Sequence, residues 1–384
     1  MEINMGPQHP STHGVLRLVL SLDGERVRAL RADIGYLHTG FEKSFESHTY
    51  QQCIPLTDRM DYLAPPINNL GFALTVEKLL GLEIPPRGQY LRVIVAELSR
   101  IASHLIWLGT HALDLGATTV FMYCWRERDK ILDIMEWISG VRMMTSFIRV
   151  GGLMADVPEE FVPMVRAFTA EFLGRVDEYE ALLTKNPIWR QRTIGLGQIS
   201  AEEAIGFGCS GPTLRGSGVP YDLRRAQPYS SYDHFDFEVP VGANGDVYDR
   251  YLIRVRELRE SCRIVDQALR GLPGGPTNSP DRKVTLPPRS EIDTSMESLI
   301  HHFKLTTEGF RTPVGSVYLA IESPRGELGF FMVSDGQTRP YRCKVRAPSF
   351  SNLSALHRMV QDELVADAVA VVGSIDITLG DVDR

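Results

Sequence analysis

Two histidines, His9 and His13, stand in a loop-forming stretch, Gly6-Pro7-Gln8-His9-Pro10-Ser11-Thr12-His13-Gly14. A tyrosine, Tyr62, ends the polar run Thr57-Asp58-Arg59-Met60-Asp61-Tyr62. An imidazole titrates near neutrality and can give or take a proton during a reaction, while a phenol keeps its proton until about pH 10 and donates a neutral hydrogen bond. Together these groups suit a carbonyl acceptor that takes up protons. They fit equally well a turn histidine bonded to nearby backbone and a tyrosine packed at a helix start, and residue type alone favours that plainer reading. His9 and His13 are four apart, but Pro10 between them and Gly14 after them work against a helix. No cysteine or carboxylate lies close in sequence to complete a zinc set, so no metal is expected there.

Two further motifs are refused. Gly206-Phe207-Gly208-Cys209-Ser210-Gly211 matches G-x-G-x-x-G, but a dinucleotide fingerprint needs a strand before it and a helix after, and this one follows a short capped helix and precedes Pro212. A glycine turn is expected. His301 and His302 fall on a helical stretch, where adjacent side chains point about 100° apart and cannot share one metal.

The elements that must position these residues run from a β-rich beginning through a helical middle to a mixed end. Glu2–Met5 suits a short strand, and Val15–Leu22 with Arg26–Ile34 suits a hairpin turned at Asp23-Gly24. Leu91, Val95, Leu98, Ala102, Leu105 and Leu108 recur at helical spacing and predict an amphipathic helix over 86–115. Further helices are expected over 126–144, 159–183 and 246–272. Ser200 with Glu203 and Thr294 with Glu297 have capping-box spacing. After Gly309, segments 316–322, 328–333 and 341–346 predict an antiparallel meander, closed by 367–373. Three regions are expected: an N-terminal β region over 1–40 carrying the histidine loop, a helical body over 41–272, and an α/β region over 273–384, entered through Gly271-Leu272-Pro273-Gly274-Gly275-Pro276, that completes the same fold. The class is α+β, mainly α.

Composition limits the functions open to such a chain. Its 384 residues are 43% hydrophobic, enough for a substantial core. Its 41 basic residues are outnumbered by 48 acidic ones and are spread out, which disfavours nucleic acid. No apolar run approaches a membrane span, and residues 1–10 lack a signal-peptide pattern, so a soluble or peripheral cytoplasmic protein is expected. The five cysteines lie at least 53 residues apart, which fits reduced thiols better than a disulfide framework.

The stretches Gly6–Gly14, Ile34-Gly35-Tyr36-Leu37-His38, Asp58–Tyr62, Thr294-Ser295-Met296-Glu297 and the ending Gly380-Asp381-Val382-Asp383-Arg384 together resemble the D-subunit family of NADH:quinone oxidoreductase, respiratory complex I. The similarity runs essentially the whole length, with the five motifs in order. It implies a helical body like that of nickel–iron hydrogenase large subunits, with a β-hairpin at the N-terminus and an antiparallel β region at the C-terminus. Hydrogenases hold nickel and iron with two C-x-x-C pairs, the second in a terminal D-P-C-x-x-C-x-x-H, because these metals need soft thiolates. Here Asp376 keeps the aspartate, Thr378 and Asp381 replace the thiols, Arg384 replaces the histidine, and Cys53 stands alone. The resemblance therefore implies a former metal site absorbed into a quinone cavity, with no metal.

Carried over residue by residue, the resemblance makes His13 and Tyr62 the partners of the quinone carbonyls, with His9 and His38 in the same quinone-site region. Asp114 becomes the acid paired with His13. Thr39 and Met144 stand where many relatives place an arginine and a histidine facing the terminal iron–sulfur cluster of a neighbouring subunit. The chain itself would bind no cofactor; quinone is substrate, and NADH and FMN are handled elsewhere in the complex. The implied partners are chiefly the cluster-bearing B-subunit, the C-subunit, the ferredoxin-like I-subunit and the membrane-embedded H-subunit, at the cytoplasmic face of the cell membrane. Three alternatives remain at this point: the equivalent subunit of a membrane dehydrogenase fed by ferredoxin or another donor, a nickel–iron hydrogenase, and a scaffold without quinone chemistry.

Overall fold

A computed structural model describes residues 1–8 and 14–384. Long helices surround the larger core, and a three-stranded antiparallel sheet stands near each end of the chain, as the α+β, mainly α reading expects. In the first sheet Glu2–Met5 pairs with Arg17–Asp23, which pairs with Arg26–Asp33. The turn is displaced by one residue from expectation. Asp23 sits opposite Arg26 and closes the strand, so Gly24 and Glu25 make the turn, and Gly24 supplies the positive φ of 62°. A bulge between Ser21 and Leu22 shifts the register by one just before the turn. This sheet contributes Leu18, Leu20 and Val27 to a second core shared with Leu356, Val371 and Val372 near the other end of the chain and with residues such as Leu196, Leu214 and Val247 from its middle.

The helix expected over 86–115 is Pro86–Asp114, and its apolar face is buried from Leu91 to Leu108. The helix expected over 126–144 is instead Thr118–Ser139. Gly140, at φ 76°, ends it and bonds back to the Glu136 carbonyl, a glycine C-cap that side-chain periodicity does not reveal. Phe161–Leu183 and Val247–Arg270 follow expectation. Pro65–Leu80 is a helix that periodicity does not announce, because most of its faces are buried and it shows little amphipathic contrast. Ser200 and Glu203 form the expected capping box. Thr294 does not: its N–H bonds to Glu291 at the end of the preceding turn, so Ser295 caps Met296–Thr307 by accepting from Ser298 N.

The meander is present as Gly315–Ser323, Gly326–Ser334 and Arg342–Arg346. The expectation that 367–373 closes it as a strand is wrong; Val365–Ile375 is a helix. Its valine-rich run reads as β by propensity, but burial from Val371 to Ile375 and capping by Arg254, which donates to the Ser374 and Ile375 carbonyls, hold it helical.

A buried ionic network ties the long helix to its neighbours. Glu97 meets Arg100 and Arg224 at 3.2 Å, and His104 bonds Glu257 at 2.8 Å. Arg215 joins Glu257 at 2.5 Å to Glu322 at 2.7 Å. Glu322 lies two residues before the tip of the Gly315–Ser334 hairpin, so the network fixes where that tip enters the interior. All five cysteines are buried free thiols, and burial pushes Cys53 and Cys262 up to about 12.

Candidate functional site

Tyr62 sits in the turn between helices Tyr50–Thr57 and Pro65–Leu80. Met60 N and Ala64 N bond to the Thr57 and Asp61 carbonyls at 3.2 and 3.0 Å, and the Asn68 amide donates to Asp61 O at 3.0 Å. Pro65 and Pro66 start the next helix, so the turn is held from both sides. Tyr62 lines a narrow cleft, partly open to solvent, with about 20 Å³ of enclosed space. Ser99 and Ala102 of the long helix form one wall, Arg128 and Met135 another, and Arg142 and Met143 a third. The last pair reaches the cleft because Gly140 stops the preceding helix. Burial raises the Tyr62 hydroxyl above its ordinary value, opposed by Arg325 and reinforced by Asp61. At neutral pH it is a protonated hydrogen-bond donor.

Behind Tyr62 lies a buried polar cluster. Arg325 donates to Asp61 at 2.6 Å, to Asp376 at 3.1 Å and to the Ser103 hydroxyl at 3.2 Å. Thr378 donates to the other Asp61 oxygen at 3.2 Å, and Asp381 accepts from Ser349 N at 3.0 Å. Burial, then repulsion from Asp61, pushes Asp381 up to about 6. Asp61 is also raised, first by burial, against the pull of Arg325. Two close approaches assemble the cluster. Gly380 packs on the Arg59–Met60 backbone, where a Cβ would stand 2.5 Å from Met60 O. Gly211, at φ 64°, packs on the Arg325 carbonyl, where a Cβ would also stand at 2.5 Å. This is the work of the G-x-G-x-x-G glycine, and helix Ala201–Gly206, not a strand, precedes it. The donors are oxygen and guanidinium without thiolate, and among the described residues no set of three metal-ligating side chains converges. The Arg325 guanidinium supplies positive charge to the two carboxylates that it bonds.

The matching family model is described as the respiratory-chain NADH dehydrogenase 49 Kd subunit, and covers residues 114–384. The NADH-quinone oxidoreductase D-subunit of Geotalea uraniireducens is 57% identical over 384 residues, covering 100% of this chain and 98% of that protein. The second D-subunit of Chloroflexus aurantiacus is 59% identical over 387 residues, covering 100% and 94%, and the second D-subunit of Koribacter versatilis is 58% identical over 384 residues, covering 100% and 96%. The chain belongs to the D-subunit family of NADH-quinone oxidoreductase. Members of this family are subunits of an oxidoreductase complex, which removes free-standing catalysis by one chain from consideration.

Within that family frame, the residues singled out from sequence fall in several places. His9 and His13 lie outside the described residues. His38 is exposed, and its Nδ1 lies 2.7 Å from the Asp383 carbonyl, while the Asp383 carboxylate accepts from Gly35 N and Leu37 N. Thr39 beside it is exposed, and Met144 is half-buried next to the cleft residue Met143. Asp114 ends the long helix. Twelve residues separate it from Ala102 in the cleft wall, roughly 18 Å at 1.5 Å per residue, so it does not join Tyr62. Burial pushes its carboxyl up to about 6. Asp376, Thr378 and Asp381 do converge, whereas Arg384 turns away, 4.7 Å over the Phe350 ring, and donates to Val345 O at 2.9 Å. Sequence reasoning missed Arg325, Ser103 and Arg128. Pro324-Arg325 is the two-residue tip of a hairpin, a position that ordinarily faces solvent, and nothing local signals its burial.

No helix among the described residues is long and apolar enough to cross a membrane.

Proposed function

We propose that this chain forms the quinone-binding and quinone-reduction site of NADH-quinone oxidoreductase, together with the neighbouring subunit that carries the terminal iron–sulfur cluster. The observation that carries the reading is Tyr62: a protonated hydroxyl in a mostly apolar cleft, backed by the Asp61–Arg325–Asp376 cluster. A quinone becomes a quinol by gaining two electrons and two protons. The electrons originate in NADH and arrive singly from the neighbour's cluster. The protons come from Tyr62 and His13 or the water behind them, with Asp114 favouring the charged form of His13. In this reading the chain supplies position and electrostatics and binds no cofactor. Its partners are the B-, C-, I- and H-subunits of the complex, and it sits peripherally at the cytoplasmic face of the cell membrane. The region 1–40 carries the histidine loop, 41–272 the Tyr62 cleft, and 273–384 the arginine and carboxylates behind it.

Tyr62→Phe removes one hydroxyl and tests the reading. A lost hydrogen bond to a reacting group costs about 1–3 kcal/mol, so quinone reduction should slow by roughly 5- to 150-fold. Assembly of the complex and NADH oxidation by an artificial acceptor should stay intact. Unchanged quinone kinetics would remove Tyr62 from the site.

A further inference from the structure

Among the described residues eight arginines are buried, and seven are accounted for by hydrogen bonds. Arg92, Arg100, Arg215, Arg224 and Arg325 each bond a carboxylate. Arg250 donates to the Gly245 and Gly197 carbonyls, and Arg254 to that of Ser374. Arg128 is the exception. It is 8% exposed, lines the Tyr62 cleft, and among the described residues makes no hydrogen bond and no ion pair. Its guanidinium stands 5.5 Å from the Trp125 ring centroid. Two charged neighbours act on it, Arg142 against its charge and Asp129 in favour, while burial opposes the charge most of all.

Arg142 lines the same cleft but is committed elsewhere, with Asp129, Asp133 and Glu136 all within ion-pair distance. An arginine buried without a partner is costly, and an apolar side chain of similar volume would fill the position at least as well. A cation kept at the wall of a solvent-open cleft, beside the Tyr62 hydroxyl, despite that cost marks a place where negative charge arrives.

We infer that Arg128 is an anion-holding residue of the Tyr62 cleft, where its guanidinium receives the negative charge that the quinone headgroup gains when an electron reaches it before a proton. The inference rests on the quinone-site reading and extends it by a second contact. Tyr62 donates from one wall, and Arg128 faces the same space from the helix Thr118–Ser139. The charge balance is simple. One electron from the neighbour's iron–sulfur cluster makes the quinone a monoanion, which Arg128 neutralises without giving up a proton; the second electron and two protons then complete the quinol. A guanidinium suits this role because it stays protonated, stabilising charge without short-circuiting the proton supply.

The test compares Arg128→Met and Arg128→Lys with Tyr62→Phe in the purified, assembled complex, using a short-chain quinone as acceptor. Because Arg128→Met removes a buried charge with no bonded partner, the complex should assemble and resist heat at least as well as the parent. Quinone reduction should nevertheless fall by about tenfold or more, as when one stabilising donor is lost from an active site. The quinone radical seen by electron paramagnetic resonance during turnover should weaken, NADH oxidation by an artificial acceptor should be unchanged, and Arg128→Lys should recover much of the rate. Parent-like quinone kinetics and radical signal in Arg128→Met, with Tyr62→Phe impaired, overturn this inference and spare the quinone-site reading. Indifference in both variants sinks both. A lowered cluster midpoint with the quinone radical unaltered, or loss of assembly in Arg128→Met that Arg128→Lys restores, would mean that the cation serves the neighbouring subunit instead.

Discussion

The Asp114 carboxyl, pushed up to about 6 by burial, exchanges its proton within reach of neutral pH, while Tyr62 holds its own throughout that range. If Asp114 supports a charged His13, its replacement by asparagine lowers the histidine pKa, and the alkaline limb of the pH–activity profile should move toward lower pH. Stability should respond in the other sense. A carboxyl raised from 3.8 to about 6 binds more protons in the folded chain than in the unfolded one, so its unfavourable contribution grows as pH rises from about 4 through 6 and is complete above that. Asp114→Asn should therefore bring its full stability gain at pH 7.5 and roughly half of that gain at pH 5. Thermal inactivation of the assembled complex at the two pH values checks the second expectation, and rate profiles check the first. A profile identical to the parent would count against the pairing with His13.

Among the elements, the hairpin Gly315–Ser334 decides the site, because it drives the Pro324-Arg325 tip inward to meet Asp61 and Asp376. Asn352 accepts from Ser210 N and donates to Arg325 O, both at 3.0 Å, clamping that tip against the segment that contains Gly211. Gly211→Ala would place a Cβ against the Arg325 carbonyl at a positive φ and should destabilise by about 1–3 kcal/mol while disturbing Arg325. Gly206, in the same G-x-G-x-x-G stretch, ends a helix with open space around it. Gly206→Ala should be neutral or slightly stabilising, since alanine is the better helix former. Denaturant midpoints of the two variants separate this account from a phosphate-cradling loop, in which both glycines would matter for ligand binding.

For the whole molecule, the quantity that the proposed quinone-site reading makes decisive is the charge facing the cluster-bearing neighbour. Thr39 and Met144 carry none, and Arg142 is surrounded by three carboxylates. A nearby cation stabilises a reduced cluster, and a nearby histidine couples its reduction to proton uptake. With both supports absent, the terminal cluster of the assembled complex should have a low midpoint that varies little with pH, suited to a low-potential quinone such as menaquinone. Thr39→Arg should raise the midpoint, on the order of 40 mV for each 1 kcal/mol regained, and Met144→His should make it fall with rising pH. Redox titration at several pH values decides; a parent midpoint that is already high and pH-dependent would show that another protonable group has taken over.

Periodicity determined the long helix Pro86–Asp114 and the helices Phe161–Leu183 and Val247–Arg270, and alternation determined the terminal meander, because both signals are local and repeat along the chain. The family was legible in five separated motifs, and the absence of paired thiols in Thr378, Asp381 and the lone Cys53. What needed the folded molecule was every feature made by residues far apart. The valines of Val365–Ile375 read as a strand until burial and Arg254 held them helical, and Gly140 ended a helix that side-chain pattern would have prolonged. Arg325 looked like a surface turn residue until Gly211, Gly380 and Asn352 brought three distant backbones together around it. Arg128 sits in an ordinary run of charged residues, Arg126-Glu127-Arg128-Asp129. Its neighbours find carboxylate or arginine partners and it does not, and a missing partner is a property of packing in three dimensions that no spacing along the chain records.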